Sequence, residues 1–575
     1  MNTVGNPEAV GPQGLLTRID WVALVSTGLI GIFAITLLTS YMFPIYPDEI
    51  QARFWLSRLP YDFPEKIAGA PICVSTFSQP LPATMYVPGW IDWVLHGNLQ
   101  DFHALRLVGL MIAILWVTGL AYYFRDRAWK GSTHEARAPG SHRLNLYTAG
   151  FFIAVFSVGV FPIFLILNRG DQFIPPSLVL LLFLFLASNR LEQKNQPWQM
   201  LGLTVMYFVA VSLVLSGHGK GLFLTPLLVM VGWRLFRRFN NRPLFVFATA
   251  LLGWHVAQAY SAFKYAFQCS EVPAFAAELG SFYFDPASLF YDPRHFFDQA
   301  YHSLLRFEKY LDQLSFQSKT DIGYLPSLPL DSFANSANIF LRLDFAIAFF
   351  AIVVLLPVRY YRNDVASGRF VTINATLLIL LVCSLASAIF NLPKNWYDAG
   401  YLYALLAIIW IFFIGENFRG IFQKPIARML FLYLGCTALL SQAVFIHRYL
   451  PAFWDGYAGP GISIVNYDHE KALGDLATSS RICDIDPVHS KGVIVDDYTY
   501  LYYQKSKQPI AFSYVHYVYS GKLDSIARFL SEVDSSGLVT RCRSLPLPAS
   551  YRNFTRKAGD LCCITSADLK NLSSP

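Results

Sequence analysis

The sequence predicts a polytopic α-helical membrane protein of about eleven spans, with a small extracytoplasmic α/β domain at its C-terminal end. Three observations predict it. Hydrophobic residues make up 54% of the chain and charged residues only 14%, with a mean hydropathy of +0.39, whereas about a quarter of a soluble domain is charged. Apolar runs near the bilayer-crossing length of about 20 residues recur along most of the chain. Beyond residue 447 hydrophobicity falls, and Asp, Ser and Lys rise.

The apolar runs lie near 21–43, 104–124, 147–167, 173–188, 200–216, 221–236, 244–264, 339–357, 370–390, 400–415 and 429–447. Residues 1–20, rich in Gly, Pro and polar residues, form a cytoplasmic tail. The first run is too long for a signal-peptide core and stays as a helix. Lys and Arg counts set the direction. With the N-terminus inside, the inner segments hold eighteen basic residues, and the three short outer turns hold one each: Arg169, Lys220 and Lys394. The net charge of +7 is therefore a topology signal spread over short loops, and it does not point to a nucleic-acid partner.

The membrane domain, 21–447, thus carries two large extracytoplasmic loops, 44–103 and 266–338, and the domain 448–575 lies on the same side. In that domain Gly492–Asp496, Pro509–Val515 and Leu538–Cys542 read as strands. Tyr498–Gln504 reads as a short helix and Leu523–Val533 as an amphipathic one. Its four cysteines, Cys483, Cys542, Cys562 and Cys563, sit where disulfides are permitted, and three pairings are open.

The span centres are almost free of ionisable groups, His255 being the clearest exception. The charges collect instead at the outer ends: Asp48, Glu49, Arg53, Arg106, Arg169, Asp171, Lys220, Lys394 and Asp398. Asp48 and Glu49 follow the first span, with Pro47 ahead of them, in the manner of a helix's first turn. Taken alone, this is an interfacial helix with an Asp-Glu start and a Glu49–Arg53 pair. Each cation alone is an interfacial anchor. Together, cations beside a carboxylate at headgroup level describe a site for a phosphate-bearing lipid.

Several short motifs recur in a telling order. Asp48-Glu49 is followed by Gln79-Pro80-Leu81, Tyr86-Val87-Pro88-Gly89 and Leu105-Arg106-Leu107. Asn168-Arg169-Gly170-Asp171 and Ser216-Gly217-His218-Gly219-Lys220-Gly221 come next, then Pro393-Lys394-Asn395-Trp396-Tyr397 with Tyr401. Over roughly residues 20–420, apart from 266–338, this resembles the GT-C membrane glycosyltransferases that use polyprenyl-phosphate sugars. Protein O-mannosyltransferases and lipid A aminoarabinose transferases are the groups it is most similar to. The resemblance implies a catalytic carboxylate at Asp48 with Glu49 as neighbour. It also implies a supporting acid at Asp171, and cations around the donor phosphate at Lys220 and Lys394. Where the family often carries Lys before the Pro-Leu step, this chain has Gln79, leaving Arg53 or Arg58 for that contact.

The chemistry fits these residue types. One general base takes the acceptor's proton, and a phosphodiester leaving group needs cations rather than an acid, unlike the carboxylate pair of glycoside hydrolases. The expectation is therefore a cell-envelope glycosyltransferase with a periplasmic active site, in a bacterial inner membrane. Asp48 and Glu49 are the catalytic candidates. Arg53, Arg169, Lys220 and Lys394 are the candidates for the donor phosphate, supported by Asp171, Tyr397 and Tyr401. Its partners are a polyprenyl-phosphate-linked sugar, membrane lipids, and a glycan, lipid or protein acceptor. The cofactor is left open: nothing in the sequence supports a divalent metal, and nothing excludes one. A transporter or flippase of a lipid-linked glycan is the alternative, and the charge-free helix centres speak against it.

Overall fold

The computed structural model describes residues 21–42, 102–129, 141–167, 169–188, 197–239, 241–270, 273–314, 331–391, 396–418, 421, 424–454, 469–496, 498–503, 506, 509–512, 535–542 and 555–568. Among them ten helices are long and apolar enough to cross a membrane. The N-terminal half holds α1 (Trp21–Tyr41), α2 (Phe102–Trp129), α3 (Ser141–Phe156), α4 (Phe161–Ile166), α5 (Ile174–Ser188), α6 (Pro197–Gly217), α7 (Thr225–Arg238) and α8 (Arg242–Phe267). After α8 come the short helices α9 (Pro273–Phe282), α10 (Ser288–Tyr291), α11 (Pro293–Leu305) and α12 (Glu308–Leu314). The spans resume with α13 (Ser332–Arg359), α14 (Ile373–Phe390), α15 (Trp396–Asn417) and α16 (Pro425–Trp454). The chain is a polytopic α-helical membrane protein.

Burial separates the axis of the bundle from its rim. The α15 window is 89% buried although it is apolar all round, so it is the central helix; the α8 window is only 11% buried. A helix whose exposed side is as apolar as its packed side faces lipid. Arg106, fully buried, donates to the Tyr41 carbonyl (2.6 Å), placing a cation on the C-terminal end of α1.

One expected span is broken. The run 147–167 divides into α3 and α4. At the break Gly159 has φ +50°, and an added Cβ would overlap the Leu314 carbonyl oxygen. That carbonyl accepts from Val160 N–H (3.0 Å), while Gly159 N–H donates to Ser441 Oγ (3.0 Å) and the Gln442 amide donates to the Ser157 carbonyl. Only glycine allows both the left-handed backbone and the close approach. An apolar run reports lipid compatibility, and a break satisfied by neighbouring helices leaves hydropathy unchanged. The structure also adds a carboxylate to a span: Asp344 of α13, which hydrogen-bonds with Tyr433 and Thr437 of α16.

The C-terminal part forms a five-stranded sheet in the order β2-β1-β3-β5-β4. The strands are β1 (Ile494–Val495), β2 (Ile510–Ala511), β3 (Gly537–Arg541), β4 (Arg556–Ala558) and β5 (Leu561–Thr565). Strands β2, β1 and β3 pair in parallel, and β5 runs antiparallel to both its neighbours, β3 and β4. A short helix, Tyr500–Tyr503, stands between β1 and β2 as expected, whereas the helix expected at 523–533 lies outside the described residues. The disulfides are Cys483–Cys563 and Cys542–Cys562. Successive residues of β5 face opposite sides of the sheet, so Cys562 and Cys563 each pair on their own side.

The two bridges differ in how much chain they close. Separations of 80 and 20 residues correspond to about 4.5 and about 3.3 kcal/mol in the chain-entropy model. In full-length protein the double variant Cys483→Ser/Cys563→Ser is therefore expected to expose the domain to protease at lower temperature than Cys542→Ser/Cys562→Ser. The reverse order would mean that local packing, not loop closure, sets the domain's stability.

Candidate active site

Three spans begin at the same end of the bundle, and each brings charged residues in its first turn. Ahead of α5 runs a 3-10 turn, Gly170–Phe173, with Arg169 extended before it and Asp171 inside it. Ahead of α7 runs a second such turn, Gly219–Leu224, which contains Lys220. Asp398 sits in the first turn of α15, after the fully buried Trp396. Carboxylates suit helix N-termini, but Lys220 occupies the end of a helix where the dipole disfavours a cation. It therefore needs acidic partners, and the fold supplies two.

Lys220 Nζ lies 2.7 Å from Asp398 Oδ1 and 3.5 Å from Asp171 Oδ2. Arg169 Nε lies 3.2 Å from Asp171 Oδ1. All four are buried, Asp171 completely. The Arg169 guanidinium stacks over the Tyr397 ring at 3.6 Å, and Lys220 Nζ is 5.4 Å from the Tyr397 ring and 5.0 Å from that of Tyr401. Among the described residues, two cations and two carboxylates make up the network. Removing one member from such a buried network leaves another uncompensated.

Gly221 of the Lys220 motif serves packing. A Cβ on Gly221 would overlap the Val214 carbonyl oxygen, so the turn folds directly onto the end of α6. His218 Nδ1 accepts from the Lys220 backbone N–H (3.2 Å), which leaves the neutral ring's proton on Nε2. Burial, and then the Lys220 charge, push the His218 pKa down to about 4. The ring is neutral at physiological pH.

The segment following α8 reaches the same place. Tyr283 forms an isolated antiparallel bridge with Asn391, and the Tyr310 hydroxyl is shared between the carbonyls of Asn391 (2.6 Å) and Ala388 (2.9 Å). Burial raises the Tyr283 hydroxyl pKa, and the charges of Lys220, Asp398, Arg169 and Asp171 all act on it. Sequence reading missed both tyrosines, because nothing local distinguishes them in an aromatic-rich loop.

Of the expected site residues, Arg169, Asp171, Lys220, Tyr397 and Tyr401 come together, while Asp48, Glu49, Arg53 and Lys394 lie outside the described residues. Arg169 and Lys220 each have a carboxylate partner, and Asp398 is a full member of the group. Among the described residues no group of His, Cys, Asp and Glu is arranged to hold a metal ion.

No protein-family model matches the chain, and no curated protein does. Solved structures do. One is the archaeal oligosaccharyltransferase AglB from Archaeoglobus fulgidus, in complex with an inhibitory peptide and a dolichol-phosphate: 11% identity over 89% of this chain and 69% of that one, TM-score 0.42. Another is ArnT from Cupriavidus metallidurans bound to undecaprenyl phosphate: 13% identity over 98% and 100%, TM-score 0.39. Its apo state matches with 13% identity over 94% and 99%, at TM-score 0.35. At these values no residue role is transferred.

The stacking of Arg169 gives a prediction of its own. Lys cannot reproduce the planar guanidinium that stacks on Tyr397 while donating to Asp171. Arg169→Lys is expected to lower turnover several-fold, since a desolvated cation–π contact contributes up to about 2 kcal/mol. Tyr397→Phe keeps the ring and should retain most activity. Equal losses in both would show that the Tyr397 hydroxyl, not the stack, matters.

Proposed function

We propose that this chain is a GT-C-type glycosyltransferase, moving a sugar from a polyprenyl-phosphate-linked donor to an acceptor hydroxyl on the extracytoplasmic side. The observation that carries the reading is the convergence of Arg169, Asp171, Lys220 and Asp398 from three separate segments, at one end of a membrane bundle. The Lys and Arg distribution supports an outward orientation of that end. The disulfide-bonded cysteines described, Cys269 among them, fall in segments assigned to the same side. The buried Tyr401 hydroxyl, in the ring beside Lys220, has no hydrogen-bond partner among the described residues. Such a group suits a site that a polar ligand completes.

In this reading Asp48 is the base and Glu49 its neighbour. The acceptor oxygen attacks the anomeric carbon as its proton passes to Asp48. The bond from that carbon to the phosphate oxygen breaks, and polyprenyl phosphate leaves with the electron pair. Lys394 and Arg53 meet the phosphate charge in this reading, with Arg169 and Lys220 aligning the site. Free polyprenyl phosphate is the product whichever sugar moves. Purified protein added to a detergent extract of envelope should release it without any gradient. Release confined to sealed vesicles would favour a transporter of lipid-linked glycan instead.

A further inference from the structure

Helix α11 carries three different stripes. Phe296 and Ser303 point into the protein: Ser303 is buried, and the Phe296 ring packs on Phe390 at the end of α14 (5.7 Å) and on Phe284 (5.8 Å). Arg294, Asp298 and His302 form an exposed polar stripe at four-residue spacing. Between these two, Phe297, Tyr301 and Leu304 form an exposed apolar stripe, 63%, 58% and 52% accessible. The turn before it adds Phe290 at 87%. At 13 residues the helix is too short to cross a bilayer. An amphipathic helix with Phe, Tyr and Leu on one stripe and polar or charged residues on the next is the form that lies in a membrane surface.

The height of the helix is fixed independently. Helix α12 follows directly, and its Glu308 and Asp312 pair with Arg342 of α13. From Leu343 to Arg359, α13 runs 17 residues, about 25 Å, close to the hydrocarbon thickness of about 30 Å. The Arg342 pairs thus mark the bilayer surface, at the level where α11 ends. At its other end, Asp285 accepts from Tyr260 of α8 (3.1 Å) and from Tyr291 (2.7 Å), holding the preceding turn to a lipid-facing span.

We propose that α11 is an interfacial helix whose Phe297–Tyr301–Leu304 stripe is immersed in the lipid leaflet on the side of the Lys220 network. The helix joins that surface to the site: Phe390 packs against Phe296 and stacks, at 5.3 Å, on Phe223 in the Lys220 turn. The network therefore sits at headgroup level, next to a lipid-embedded wall. This assignment does not depend on the transferase reading.

The test uses full-length protein in phosphatidylcholine–phosphatidylglycerol vesicles, with Cys436→Ala removing the exposed free thiol. Phe297→Cys, Tyr301→Cys and Leu304→Cys are each labelled with a nitroxide, and Asp298→Cys serves as the polar-stripe control. Collision with oxygen should exceed collision with a water-soluble nickel complex at the three apolar positions, and the order should reverse at Asp298. Nickel collision dominating at the apolar positions would overturn the proposal. Labels there that neither reagent reaches would do the same, since a protein partner and not lipid would then cover the stripe.

Discussion

Lys220→Met is expected to cost about 3–5 kcal/mol of stability, because it breaks the buried 2.7 Å pair with Asp398. Asp171 retains Arg169. The double variant Lys220→Met/Asp398→Leu removes both charges of the 2.7 Å pair and should recover most of the folded yield, since an apolar pair of similar volume often replaces a buried ion pair without loss. Activity should not return with it. A network that aligns a phosphate site is not rebuilt by packing, and turnover per folded molecule should stay depressed roughly tenfold or more. Folded yield is read by gel filtration in detergent, and turnover by polyprenyl phosphate release. A double variant that regains both would make the network purely structural.

Asp48→Asn is expected to abolish transfer while leaving folded amount near wild type. Asn preserves shape and removes the proton acceptor, and a positioned base contributes about 10²–10⁴-fold. Glu49→Gln should be milder. If Glu49→Gln proves the more damaging, the roles within the pair are exchanged. Retention of most activity in Asp48→Asn would remove the base from the mechanism.

The architecture was legible because membrane insertion is decided by local hydropathy, and ten of the eleven apolar runs are continuous spans among the described residues. The break at Gly159 was not, since its hydrogen bonds come from Leu314 and Ser441, far away in sequence. The same limit applies to the site. Short motifs marked Arg169, Asp171 and Lys220, and the first two, two residues apart, could have been paired by eye. The Lys220–Asp398 contact spans 178 residues, and Asp398 showed in the sequence only as another charge at a helix end. Tyr283 and Tyr310 carry no local signal at all. The disulfide pairing was open in the cysteine count, but the adjacency of Cys562 and Cys563 on one strand held a clue, because a strand sends neighbours to opposite faces.

The most direct test of a polyprenyl-phosphate-dependent transferase is mass spectrometry of envelope lipids and glycans. Membranes from cells carrying the wild-type chain, the Asp48→Asn chain at equal folded amount, or no copy would be compared. The account predicts a species heavier by one sugar residue with the wild-type chain, absent in the other two. Identical envelopes in all three, or the sugar retained with Asp48→Asn, would contradict it.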